Sequence, residues 1–199
     1  MNVKICGLLR ERDAALALDL GANFVGCVVA PDSPRSASFA DRRAIRELAR
    51  GRAKFVLVVR GLGRDAVRAL AQECEPDHVQ WHGLSPARER ELAAELPLLA
   101  VREIGPGAAA LPHADATPSA PVLLDGGRGG AGRRFDWSLL AGGAPACTFV
   151  AGGITPATLP ALLLHSPWGI DVSSGIECAP GEKDPAALRA LFECLEGVR

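Results

Sequence analysis

A recurring rhythm constrains this chain most. Short runs rich in Val, Leu and Ile return about every 25 residues, at 3–7 (VKICG), 24–29, 54–59, 78–82, 98–104, 121–125, 147–152 and 169–174. Stretches rich in Ala, Leu and Arg follow near 12–20, 40–50, 64–73, 86–95, 136–141, 156–164 and 184–196. Apolar strands of this kind belong in a parallel sheet covered on both faces, and strand and helix in turn is the βα repeat. Eight units most simply close into a compact α/β fold, a (β/α)8 barrel, as one domain over 1–199. A doubly wound open sheet competes, but no G-x-G-x-x-G follows the first strand, so its dinucleotide-binding form loses support. One unit breaks the rhythm. Residues 105–120 read GPGAAALPHADATPSA, with prolines, glycines and no 3.6-residue period, so the fifth helix is expected to be degraded or missing.

Composition narrows the function classes. A net charge of −1 gives no reason to expect a nucleic-acid partner. No apolar run approaches the ~20 residues of a membrane span. Lys4, Arg10, Glu11 and Arg12 interrupt the start of the chain, so no secretory signal is read there and a cytoplasmic location is expected. The six cysteines, Cys6, Cys27, Cys74, Cys147, Cys178 and Cys194, form no CxxC pair. Reduced thiols are therefore expected, with neither a metal site nor a disulfide framework.

In a βα barrel the chemistry gathers at the carboxyl ends of the strands. Cys6 closes the first and Arg35 lies in the loop after the second. Gln80, Trp81 and His82 end the fourth, and Asp125 ends the sixth. Gly152 and Gly153 follow the seventh, and Ser173, Ser174 and Gly175 follow the eighth. Tight turns alone would explain either glycine site. Together, after strands 7 and 8, they mark a phosphate site built from backbone N–H groups and hydroxyls. Asp125 reads either as a turn-capping carboxylate or as an acid beneath a lid, since Gly126, Gly127, Gly129, Gly130 and Gly132 follow it and Asp136 suits the next helix better as cap. Cys6 and Asp125 form an unlike pair, a thiol base if positive charge lowers its pKa and a shielded acid. A cysteine nucleophile assisted by His82 ranks lower, because strands 1 and 4 of such a barrel are not neighbours.

The ordered motifs KICG (4–7), SPR (33–35), VQWHG (79–83), LLD…GG-x-G-x-x-FDW (123–137), AGGI (151–154), DVSSGIE (171–177) and GEKD (181–184) resemble the phosphoribosylanthranilate isomerase family over nearly the whole chain. The resemblance implies a small (β/α)8 barrel without cofactor. It implies an Amadori rearrangement of N-(5-phosphoribosyl)anthranilate to 1-(2-carboxyphenylamino)-1-deoxyribulose 5-phosphate in tryptophan biosynthesis. It also implies Cys6 as general base, Asp125 as general acid, Arg35 on the anthranilate carboxylate, and Gly152, Gly153, Ser173 and Ser174 on the phosphate. Gln80 and His82 complete the expected substrate site. The expected partner is this small phosphorylated substrate, with no nucleic acid and no membrane, in a monomer or homodimer. The chain departs from the family at Leu9, at Arg60, at Trp81, and at Cys27, Val29 and Ala30, where the usual aromatic bulk would cover the anthranilate ring, so all three are expected to thin the pocket. By strand alternation Trp81 should face the helices, while Arg60 should support the same carboxylate as Arg35. Two other readings stay open: an isomerase of another aminated ribose phosphate, and a non-catalytic phosphate-binding barrel.

Overall fold

Strand pairing closes on itself in this computed structural model, which describes residues 1–113, 115–127 and 132–196. Eight parallel strands pair in chain order: β1 (Asn2–Cys6), β2 (Phe24–Val29), β3 (Lys54–Val59), β4 (His78–Trp81), β5 (Leu98–Glu103), β6 (Val122–Asp125), β7 (Thr148–Ala151) and β8 (Gly169–Val172). β8 returns to β1 with Lys4 opposite Asp171 and Ile5 opposite Val172. Closure removes the exposed edge that an open sheet would present. This is the (β/α)8 barrel expected from the rhythm.

The helices α1 (Glu11–Asp19), α2 (Phe39–Ala49), α3 (Arg64–Cys74) and α4 (Pro86–Leu92) follow the first four strands. Local chemistry sets their ends. Ser38 and Asp41 cap α2 reciprocally, and Ser85 precedes Pro86 at the first turn of α4. No helix occurs between β5 and β6 among the described residues, as the prolines there imply. The stretch expected to be helical near 136–141 is a single 3-10 turn, Trp137–Leu140, capped by Asp136 and ended by Gly142, Gly143 and Pro145. α5 is only Leu159–Leu163. An element that the sequence reading missed follows β8: a 3-10 turn (Ser174–Ile176) and a hairpin of β9 (Glu177–Ala179) and β10 (Glu182–Lys183), before α6 (Pro185–Glu196).

Alternation along the strands divides the core in two. Ile5, Val25, Cys27, Leu57 and Val79 face outward onto Ala14, Ile45, Val67 and Leu188 of the helices. Phe24, Val56, Val58, Leu99, Leu123 and Phe149 fill the barrel. At the amino-terminal end of the strands, Phe149 meets Phe24 and Trp168 edge-on, with ring centroids 5.0 and 5.1 Å apart. This aromatic floor leaves the carboxyl-terminal half for polar groups. It is closely packed at Gly169, where an added Cβ would lie 2.6 Å from Cδ1 of Phe149. Gly169→Ala should therefore cost about 1–3 kcal/mol through overpacking, with kcat/KM unchanged. Chemical denaturation alongside the activity assay checks this, and wild-type stability would contradict a tight floor.

Candidate active site

Lys4 and Cys6 share the inner face of β1. Lys4 is fully buried, with Nζ 2.9 Å from Oδ1 of Asp171 on β8. Burial works to push the Lys4 ammonium down, but Asp171 and Cys6 hold it above its ordinary value. Burial also pushes the Cys6 thiol up, and Lys4 and Lys183 only partly oppose this. The thiol is thus not acidified, contrary to the condition that the sequence reading set for it. Two glycines make room here. A Cβ at Gly26 would lie 3.3 Å from the Cys6 Sγ, and Gly7, at φ +69°, leaves space for the stem of Arg35 and the hydroxyl of Ser173. That is why a glycine follows the cysteine.

Asp125, at the end of β6, opens into the same cavity of about 300 Å³ as Cys6. Its carboxyl is pushed up to about 7, first by burial and then by Asp171 and Glu103, against a hydrogen bond from the Gly127 N–H at 3.1 Å. That contact fits the turn-capping reading, and the burial that raises its pKa is what the shielded-acid reading requires. Asp136 caps the following turn through Ser138. Of the proposed lid, Gly129 and Gly130 lie outside the described residues. Its two ends pack inward: Gly126 against the backbone of Arg133 and Phe135, and Gly132 against Ser174.

The turns after β7 and β8 stand side by side because Ala151 pairs with Asp171, two residues before Gly153 and Ser173. Gly152 and Gly153 have φ of +92° and +64°, so both need glycine for their backbone alone. A side chain at Gly152 would also collide with the Arg133 carbonyl, and one at Gly175 with that of Ile154. Gly152, Gly153, Ser173 and Ser174 all line the cavity.

Gln80 and His82 alternate inward from β4, with Gln80 Nε2 2.7 Å from His82 Nε2. Burial, then Lys4 and Arg60, lower the His82 pKa to about 4, so the ring is neutral. With Gln80 donating to Nε2, the ring proton sits on Nδ1. That atom and Gln80 Oε1 are buried without partners among the described residues. A neutral ring bonded to Gln80 does not support His82 as a base for Cys6. Arg35 also reaches the cavity, but two of its nitrogens bind Glu177. Arg60 lines the same cavity and pairs with Asp32 at 2.9 Å. Trp81 packs towards the helices, as alternation implies. One expectation about β2 needs correction. Cys27 and Val29 face the helices, so of the three residues thought to thin the pocket only Ala30 lines it, beside Val28.

Sequence reasoning gave no role to Lys4, Asp171, Glu177 or Lys183. Each is a charged residue almost withdrawn from water, and the first two sit at inward positions of apolar strands. Alternation within VKICG and GIDVSS would have marked them.

Fold and site define a (β/α)8-barrel enzyme with acid–base groups at the carboxyl-terminal mouth of its strands. A family model described as N-(5'phosphoribosyl)anthranilate (PRA) isomerase matches residues 3–194. The N-(5'-phosphoribosyl)anthranilate isomerase of Chelativorans sp. (strain BNC1) is 37% identical, over 100% of this chain and 97% of its own. The crystal structure of phosphoribosyl anthranilate isomerase from Thermus thermophilus is similar with a TM-score of 0.82 at 34% identity, covering 100% of both chains. Another structure of the enzyme, in complex with reduced 1-(o-carboxyphenylamino)-1-deoxyribulose 5-phosphate, gives 0.78 at 25% identity, covering 99% of each. The chain belongs to the phosphoribosylanthranilate isomerase family, and it is an isomerase of tryptophan biosynthesis.

The raised Asp125 pKa has a consequence for stability. A carboxyl whose folded pKa lies near 7 instead of 3.8 favours the folded state only while protonated, and that contribution is lost as pH rises through about 7. Asp125→Asn cannot ionise. Its Tm should exceed the wild type's by roughly 5 °C or more at about pH 8 and match it near pH 4. Thermal unfolding at the two pH values checks this, and an equal shift at both would contradict it.

Proposed function

We propose that Cys6 and Asp125 divide the proton transfers of the isomerisation of N-(5-phosphoribosyl)anthranilate. The phosphate is held by Gly152, Gly153, Ser173 and Ser174, and the anthranilate carboxylate faces Arg35 with Arg60 nearby. Gln80 and His82, bonded to each other, line the cavity beside the ribose. Asp125, as acid, protonates the ring oxygen, and the C1′–O bond breaks to give the Schiff base. Cys6, as thiolate, takes the proton from C2′, giving an enolamine. Protonation at C1′ and loss of the enol proton leave the ketone at C2′. The atoms balance within one molecule, so the chemistry asks for neither a metal nor a hydride carrier. The observation that carries this reading is one cavity joining Cys6 to an acid whose pKa is about 7. We read 1–199 as one domain working in the cytoplasm as a monomer or homodimer.

The reaction is followed by loss of substrate fluorescence. Cys6→Ser should retain the fold and lose ~10²–10⁴-fold in kcat, since a hydroxyl is a far weaker base. Turnover near the wild-type rate would remove Cys6 from the reaction. Inorganic phosphate should compete with substrate, and Gly153→Asp should abolish that competition.

The pH profile tests the pair together. The active form carries one proton, on Asp125 and not on Cys6. Asp125 titrates near 7 and Cys6 above its ordinary range, so the singly protonated enzyme exists between those values. Accordingly, kcat/KM should rise as pH rises through about 7 and fall only above the ordinary thiol range. A profile that falls through 7 would mean that Cys6 is already a thiolate there and would contradict this order of titration.

A further inference from the structure

We propose that Glu177, the first residue of β9, is a positioning residue that holds Arg35 for the substrate carboxylate. This rests on the assignment of Arg35 above. The Arg35 stem crosses Gly7, its Cδ 2.8 Å from where a Cβ there would stand. The guanidinium then turns to Glu177. Its Nε donates to both carboxylate oxygens at 2.9 and 3.1 Å, and Nη2 donates to Oε2 at 2.6 Å. Glu177 Oε1 also accepts from Lys183 Nζ at 2.8 Å and from the Gly181 N–H at 3.3 Å. The carboxylate is thus surrounded by N–H groups and almost wholly buried, at 5% side-chain exposure. It has nothing left to offer a ligand. Arg35 does: its Nη1 makes no hydrogen bond among the described residues, and the side chain lines the cavity.

Lys183 explains why this clamp does not cancel the charge it aims. One carboxylate lies between two cations, so the trio keeps one net positive charge beside the cavity. Burial pushes the Lys183 ammonium down, and Glu177 opposes this. Burial pushes the Glu177 carboxyl up, but Arg35 and Lys183 hold it below its ordinary range. The hairpin is itself fastened. The Lys183 N–H donates to Asp13 at 3.0 Å, and Arg10 binds Asp13, Glu182 and the Lys183 carbonyl. Lys183 Nζ also reaches the Ser173 carbonyl at 3.3 Å, in the turn assigned to the phosphate. Glu177 therefore ties the loop after β2 to the hairpin after β8 and fixes one edge of a guanidinium so that the other is ready for a planar anion.

A simple tether between two loops would have the same contacts, so the test must separate aiming from holding. Three ligands are titrated calorimetrically into wild type, Glu177→Gln and Glu177→Asp: inorganic phosphate, reduced 1-(o-carboxyphenylamino)-1-deoxyribulose 5-phosphate, and its phenylamino counterpart without the carboxylate. In Glu177→Gln the Kd of the carboxylate-bearing ligand should rise about tenfold, the size of one charge-assisted hydrogen bond. The other two should stay within about twofold, and kcat for the substrate should hold while KM rises. Glu177→Asp leaves Lys183 a partner but shortens the reach to Arg35. It should show a smaller loss of the same pattern, and it serves if Glu177→Gln does not fold. Equal weakening of all three ligands would make Glu177 a structural tether, and tighter binding of the carboxylate ligand would make it a competitor; either overturns the proposal. Wild type that fails to distinguish the two analogues overturns the role of Arg35 as well.

Discussion

The barrel seam is held by a buried ion pair. Lys4 on β1 and Asp171 on β8 meet at 2.9 Å where the last strand returns to the first, and both are almost wholly out of water. Two isolated charges in such a place would be prohibitive, and removing one partner of such a pair costs about 3–5 kcal/mol because the other is stranded. The pair therefore determines what else the interior can contain. Below it lie the edge-on rings of Phe24, Phe149 and Trp168. Above it come Cys6, Asp125 and the turns after β7 and β8. The site lies where the interior changes from apolar to charged.

One physical cause, burial, then tunes the mouth in opposite directions. It raises acids and lowers bases, because each loses its charged form first. Asp125 rises to about 7 and His82 falls to about 4. The ion pair adjusts both, with Asp171 raising Asp125 and Lys4 lowering His82. Near neutral pH the cavity offers a carboxylic acid that can give up its proton and an imidazole without charge. Cys6 is raised too, and only the nearby ammonium groups of Lys4 and Lys183 lean the other way. In the proposed mechanism the active form is a thiolate beside a protonated acid, a minority arrangement of one proton over two sites.

Much of this was legible in the chain. Strands buried on both faces appear as bare apolar runs, so β1 to β8 could be placed within a few residues, and the prolines of 105–120 announced the lost helix. Helix lengths were less legible. Gly142, Gly143 and Pro145 cut the element after β6 to one 3-10 turn, although its apolar residues resemble a helix. The β9–β10 hairpin was not visible, since strands of three and two residues carry no periodicity. Its charged residues, Glu177 and Lys183, matter through pairing across 142 and 6 residues, which no local pattern records. Alternation placed Trp81 correctly. The same rule, left unapplied to β2, misplaced Cys27 and Val29 and hid Lys4 and Asp171.

The central claim is that Asp125 opens the ring and Cys6 then takes the proton from C2′. Substrate deuterated at C2′ tests this order most directly, through the isotope effect on kcat in wild type, Cys6→Ser and Asp125→Asn. Weakening the base makes C–H cleavage limiting, so Cys6→Ser should show a larger effect than wild type. Weakening the acid makes ring opening limiting, so in Asp125→Asn the effect should shrink towards unity. The reverse pattern, or the same change in both variants, would contradict the division of labour between the two residues.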